Sequence, residues 1–521
     1  MLLKKNSVLW LVVLVIGTLI LIWSINRSNP TQQSVATSSR SCQASQNDIV
    51  MLQREIDNMS ASGGGIVEMK ACQYVITKPF VLKSNVHLKG AGLDKTTIMI
   101  ESEFDDGTVN NNKVIVTEQD SHNISITDLT VDGNKQERKS LINDPYAHTI
   151  DVAFVDNFEI NNIKVINAPS ASIMLYNSQN GTVENSTILD SGSNGILALK
   201  DIDNITIANN MIDQTDHQNG IFISYQDGHS SSNIRIENNI VKYAGDFGIE
   251  VGHIVPEGDE QHQNIIVRNN EIISATNAGI AFRSVSEGMI EDNTISGYGK
   301  NGGYGADGIF VEGGFNTSRN INVENNEVNQ TFQSGDANAI YVTGIDGAEV
   351  VGNKVEGSRG NGIFVQASVL PDGSITADFN EGKRNFNEIH VRGNQFLNNK
   401  KSGIQFQGNN ALGNSLEGNL IKGNGEFGIQ IANLTLGSGF LVSENQISNN
   451  GKESLSIFKQ NEIEIVSNDF NSLERNSKSL SFVNVQDVVV KNNIFHEKSW
   501  EELLGNNPSN NIINQNNRFQ N

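Results

Sequence analysis

The stretch that decides the fold reads I-A-N-N-M-I at residues 207–212. The same register returns as I-E-N-N-I-V at 236–241, V-R-N-N-E-I at 267–272, I-E-D-N-T-I at 290–295 and V-E-N-N-E-V at 323–328. Its second asparagine recurs at Asn210, Asn239, Asn270, Asn293, Asn326, Asn353, Asn394, Asn419, Asn445, Asn468 and Asn493. A spacing of roughly 25 residues marks the coil of a repeat architecture. A second marker accompanies it: Gly195-Ile196, Gly220-Ile221, Gly248-Ile249, Gly279-Ile280, Gly308-Ile309, Gly362-Ile363, Gly403-Ile404 and Gly428-Ile429 each open a period-two alternation. Such alternation puts one face of a strand inward and the other outward. No helical stretch separates successive strands, so they must wind as a solenoid of stacked parallel coils. The Asn doublets are expected to be structural turn residues, the buried members laddering from coil to coil.

Outward from the repeats, Asp48 to Met59 reads as a short amphipathic helix that caps the open end of the solenoid. Cys42 and Cys72, the only two cysteines, bracket this segment and are expected to form one disulfide in an oxidising compartment; two separate buried thiols are the alternative. Lys4 and Lys5 precede an apolar run from Val8 to Ile25, nearly long enough to cross a bilayer. A retained anchor is the favoured reading and a cleaved signal peptide its competitor. The lysines hold the N-terminus in the cytoplasm and put the remainder outside, periplasmic or extracellular. The domain plan is therefore a cytoplasmic tip and transmembrane helix at 1–27, a polar linker at 28–41, and one all-β solenoid at 42–521.

Composition agrees and narrows the partners. With 48 Gly, 7 Pro and 6% aromatic residues, the 521-residue chain is turn-rich without being poor in apolar residues. A net charge of −22 opposes nonspecific binding to nucleic acid, which needs clustered Lys and Arg. A polysaccharide is the expected partner, beside the membrane, and a monomer is expected. No His or Cys spacing suggests zinc, and neither an EF-hand nor a phosphate loop appears, so no metal ligand is assigned. Calcium between loop carboxylates is left open, because spacing alone does not read it.

Gly63-Gly64-Gly65-Ile66-Val67-Glu68, Val81 to Gly92, and Leu129-Thr130-Val131-Asp132-Gly133-Asn134 carry a resemblance. Here the chain resembles the pectate-lyase-like superfamily of right-handed parallel β-helices, which includes alginate epimerases and phage-tail depolymerases. The resemblance covers about residues 45–500 as architecture and about 60–135 as motif text; it implies a single-stranded right-handed parallel β-helix acting on polysaccharide. The catalytic signatures do not follow. The Tyr-x-x-Asp-Pro-His run of mannuronan C5-epimerases is replaced by Ala171-Ser172-Ile173-Met174-Leu175-Tyr176-Asn177. Asp144-Pro145-Tyr146-Ala147-His148 lies before a strand and in a different coil, so no role is carried to it. The Asn-Thr-Asp, Asp-Asp and Gly-His-Gly runs of polygalacturonases are missing too.

The outward positions of the Gly-Ile strands form a readable column: Asp151, Met174 with Tyr176, Leu197, Phe222 with Ser224, Glu250, Ala281 with Arg283, Phe310 with Glu312, Tyr341 with Thr343, and Phe364 with Gln366. An exposed aromatic row suits the C–H faces of sugars, so Phe222, Phe310, Tyr341, Phe364 and Tyr176 are the expected substrate-binding rings, with Gln366 taking hydroxyls. Loops folding over the face and burying the rings would be the alternative. Insertions at 225–233, 253–263 and 366–387 are expected to wall the groove. Glu250 and Glu312 lie two coils apart, about 10 Å at the backbone, within side-chain reach of the roughly 6.5–9.5 Å separation of inverting glycosidases. Arg283 between them would hold a hydroxyl or carboxylate, while a surface ion-pair ladder is the bland reading. In a lyase, Arg283 would neutralise a uronate, and His217, in the turn before the Phe222 strand, His253 or a tyrosine would act as base.

Three function classes follow. The favoured one is an envelope-anchored polysaccharide-cleaving enzyme, a hydrolase or lyase. A C5-epimerase is the second. A noncatalytic glycan-binding or scaffold solenoid is the third, and gains if the carboxylates prove already paired.

Overall fold

The computed structural model describes residues 42–101, 112–226, 228–253, 261–303, 305–313, 318–329, 335–366, 387–408, 412–437, 439–471, 478–497, 499–500, 503 and 510–520. The expected membrane span at 1–27 and the linker at 28–41 lie outside them. Among the described residues, no helix is long and apolar enough to cross a membrane. Gln43–Asn521 forms one compact unit. Cys42 and Cys72 are both disulfide-bonded.

Gln43–Asn521 is an all-β parallel solenoid of three stacked ladders. Sheet I holds the Gly-Ile strands and runs from Phe80–Leu82 to Leu480–Val483. Every pairing in it is parallel, and its inward column reads Ile115, Ile150, Ile173, Ile196, Ile221, Ile249, Ile280, Ile309, Ile340, Ile363, Ile404 and Ile429. These twelve side chains are fully buried. β-Branched residues suit a pleated, closely stacked surface, and identical shapes repeat at the strand spacing of about 4.8 Å. The preceding glycine is dictated by the same closeness. A Cβ on Gly248 would fall 2.5 Å from the Gly279 carbonyl oxygen of the next coil.

The two asparagines of each doublet divide the work. The first turns the chain in the left-handed region, as at Asn209, Asn238, Asn269 and Asn325, with φ between 53° and 57°. The second is buried and laddered. Asn326 Nδ2 donates to Ile290 O at 2.9 Å and to Asn353 Oδ1 at 3.0 Å, while its own Oδ1 accepts from Asn293 N and Nδ2 at 3.0 Å. Each amide thus satisfies the turn backbone of its neighbour, as burial requires.

The capping helix spans Gln46–Ala61 and opens with a capping box. Ser45 N donates to Asp48 Oδ2 at 2.9 Å, and Asp48 N returns to Ser45 Oγ at 3.2 Å. Leu52 and Ile56 are buried in the solenoid core from this helix.

Candidate functional site

Register places the expected trio together. Glu250 sits beside Ala281 in sheet I, and Arg283 sits beside Glu312 on the same outward face. Arg283 Nη1 donates to Glu250 Oε1 at 3.2 Å and its Nε to Glu312 Oε2 at 3.0 Å. Asn219 Nδ2 adds a bond to Glu250 Oε2 at 2.7 Å. Both glutamates are only 4% exposed, so the trio is neither a solvent-lined acid pair nor a surface ladder. Burial pushes the Glu250 carboxyl up to about 7, against the pull of Arg283 and Asn219.

Burial also corrects the expected aromatic row. Phe310 and Tyr341 point outward from sheet I, yet are 1% and 5% exposed. They form a second apolar cluster with Phe247, Ala278 and Ala281, against which Phe364 packs. The Phe310 and Tyr341 rings lie 5.5 Å apart, and Tyr341 stacks on Phe364 at 5.2 Å. Gly305 is close enough that a Cβ there would lie 3.7 Å from the Phe310 ring and 3.9 Å from Phe247. The backbone at Gly305 thus packs beside this aromatic cluster. Tyr341 is further held by donating its hydroxyl to Gln366 Oε1 at 2.6 Å, which ties up the glutamine expected to take sugar hydroxyls. Phe222 is half-buried against Met174 and Leu197. His217 is exposed in its turn. Of the expected groove walls, 254–260 and 367–386 lie outside the described residues.

The open part of the face lies toward the N-terminus. A cleft of about 590 Å³ is lined by Lys113, Tyr146, His148, Asp151, Phe154, Tyr176 and Gln226 among others. Asp151 projects outward from the strand Ile150–Ala153 because Ile150 and Val152 point into the core. Lys113, just ahead of the paired strand Ile115–Thr117, donates a short hydrogen bond to Asp151 Oδ2. His148 is buried beside them. Desolvation lowers its imidazole to about 4, Asp151 opposing and Lys113 assisting, which leaves the ring neutral at ordinary pH. Among the described residues, three buried polar atoms of this lining have no hydrogen-bond partner: His148 Nδ1, Asp151 Oδ1 and Gln226 Oε1. Beside them stand three rings. Tyr146 is 59% exposed, and Phe154 meets Tyr176 edge-on at 5.4 Å.

Of the expected site residues, the cleft therefore contains only Tyr176. The Asp144 to His148 run, given no role from sequence, supplies its buried imidazole and exposed ring. Lys113 carried no sequence signal at all, since it meets Asp151 only through the stacking of coils of unequal length. Among the described residues, no group of three His, Cys, Asp or Glu side chains is placed to hold a metal ion.

A family model described as right handed beta helix region matches residues 105–254, 229–369, 331–472 and 381–521. The chain belongs to that right-handed β-helix family. This β-helix is 34% identical over 95 residues to mannuronan C5-epimerase AlgE2 of Azotobacter vinelandii, a match spanning 17% of this chain and 9% of that protein. Among solved structures it resembles the A-module of Azotobacter vinelandii mannuronan C-5 epimerase AlgE6, with TM-score 0.52 and 18% identity over 78% of this chain and 96% of that one. It also resembles the pre-mature gene product 12 of bacteriophage phi29, with TM-score 0.53 and 14% identity over 89% and 70% of the two chains. At these identities the structural likeness is one of fold.

Proposed function

We propose that this β-helix is a carbohydrate-active enzyme that binds a polysaccharide along the outer face of sheet I and cleaves it at the Tyr146–His148–Asp151 cleft. The observation that carries the reading is that cleft: three aromatic rings beside a buried, neutral imidazole whose Nδ1, like Asp151 Oδ1, has no hydrogen-bond partner among the described residues. Rings stack on sugar C–H faces, and a neutral imidazole is a proton acceptor, from an attacking water in hydrolysis or from a sugar carbon in elimination or epimerisation. The short match to a mannuronan C5-epimerase supports a polysaccharide as the class of substrate. Anchoring at 1–27, with the β-helix outside the cytoplasm, belongs to the same proposal. It is supported by the Lys4-Lys5 and Val8–Ile25 pattern and by the disulfide-bonded cysteines.

Incubating the protein with polysaccharides, and reading reducing ends beside absorbance of unsaturated uronates, tests the activity. Reducing ends without the absorbance are expected, and His148→Gln should abolish them. One observation favours a second reading, noncatalytic glycan binding: Glu250 and Glu312 are both already paired to Arg283. Binding with neither signal would establish that reading in place of the enzyme.

A further inference from the structure

We infer that the cleft is built for a neutral glycosyl unit, one that donates hydroxyl protons, and that it rejects uronates. The inference rests on reading the cleft as a glycan site. Its first support is charge balance among the lining residues. Lys113 is the one cationic side chain there, and its ammonium is committed to Asp151, with side chains 10% and 9% exposed. His148, the other basic group, is held neutral. A uronate carboxylate reaching the buried floor of this cleft would lose hydration and meet no uncompensated cation, which is unfavourable.

The second support is the character of the unpartnered atoms. Asp151 Oδ1 and Gln226 Oε1 are acceptors, and the His148 Nδ1 of a neutral imidazole accepts or donates according to its tautomer. The carboxylate that distinguishes a uronate only accepts, so that group cannot satisfy the first two. Sugar hydroxyls donate and accept, and can satisfy all three. The rings of Tyr146, Phe154 and Tyr176 supply the apolar wall that a pyranose face requires.

The third support lies next door. Phe154 also lines a second basin of about 450 Å³, whose walls include Asp120, Asp156 and Asp201 beside His122. A polymer crossing Phe154 presents its next unit to three carboxylates. A neutral chain is indifferent to them and a polyuronate is repelled, within a protein whose net charge is already −22. One further cation stands nearby: the Lys200 ammonium lies 5.9 Å from the Tyr176 ring centroid, but Lys200 does not line the cleft.

Titration of the full chain in detergent with maltoheptaose, laminarihexaose and chitohexaose, beside hexamers of mannuronate and galacturonate, tests the inference. At least one neutral oligomer should bind with little dependence on salt, and Tyr146→Ala, an exposed change that leaves the core intact, should weaken it roughly 10-fold. Asp151→Asn should free the charge of Lys113 and raise affinity for the uronate hexamers, with the thermal midpoint checked to confirm folding. If the parent protein binds a uronate hexamer in a Tyr146-dependent and salt-sensitive way, the neutral-sugar inference is overturned and the glycan reading stands. If no oligomer binds, or binding ignores Tyr146→Ala, both fall.

Discussion

Arg283 donates from Nε to Glu312 Oε2 at 3.0 Å across adjacent coils of one sheet, and the two side chains are only 16% and 4% exposed. With Glu250 on its other nitrogen, this single guanidinium compensates two buried carboxylates. Arg283→Leu should therefore destabilise the protein by about 3–5 kcal/mol, the cost of stranding a buried charge. Thermal unfolding should show this, and a midpoint unchanged from the parent would contradict it.

The raised Glu250 carboxyl has a pH signature. Its folded value of about 7 exceeds its ordinary value, so the native state holds the extra proton between about 4.5 and 7. Its contribution to stability is present below that window and is lost as pH rises through 7. His148, lowered to about 4, acts with the opposite sign: its contribution is lost as pH falls from about 6.5 toward 4. The parent minus Glu250→Gln difference in thermal midpoint isolates the first effect. That difference should change with pH between 4.5 and 7, and a flat difference would remove the assignment.

Phe310→Ala should act on stability and leave ligand binding alone. A phenylalanine this buried costs about 3–5 kcal/mol when truncated. The folded fraction of the variant should titrate with glycan as the parent does, and a selective loss of affinity would restore the groove that the ring was expected to line.

Inward positions were legible because stacking makes equivalence strict: Ile221, Ile249, Ile280, Ile309 and Ile363 fall on one buried column, as alternation requires. Outward positions were legible only as direction. Phe310 and Glu312 do face away from the core, but whether they are buried depends on what packs against them, and no period encodes that. The cleft stayed hidden for a related reason. Lys113 and Asp151 are 38 residues apart in sequence, a separation that matches no regular coil length, so only the folded chain brings them together. The asparagine doublets were read as turns, while the division between a left-handed first residue and a laddered second one needed φ values and partners.

That division gives its own test. Asn326→Ala would leave Ile290 O and Asn293 N without partners in the interior, costing at least ~3 kcal/mol. Asn325→Gly keeps the positive φ of 53° at an exposed site and should stay within about 1 kcal/mol of the parent. Denaturant unfolding of the pair should separate them clearly, and equal losses would mean that the ladder adds nothing beyond the turn.

If His148 accepts a proton during turnover, its low pKa sets the acid limb of the rate. Activity should persist through pH 6 and fail only as pH approaches about 4. An acid limb centred near the ordinary imidazole value would mean that another group carries the proton.

The most direct measurement is a crystal structure of the protein with the oligosaccharide it binds most tightly. The account predicts a sugar ring seated against Tyr146 and Tyr176, with a hydroxyl within hydrogen-bond distance of Asp151 Oδ1 or His148. A sugar bound instead over the Glu250–Arg283–Glu312 trio, or on another sheet with the cleft empty, would contradict it.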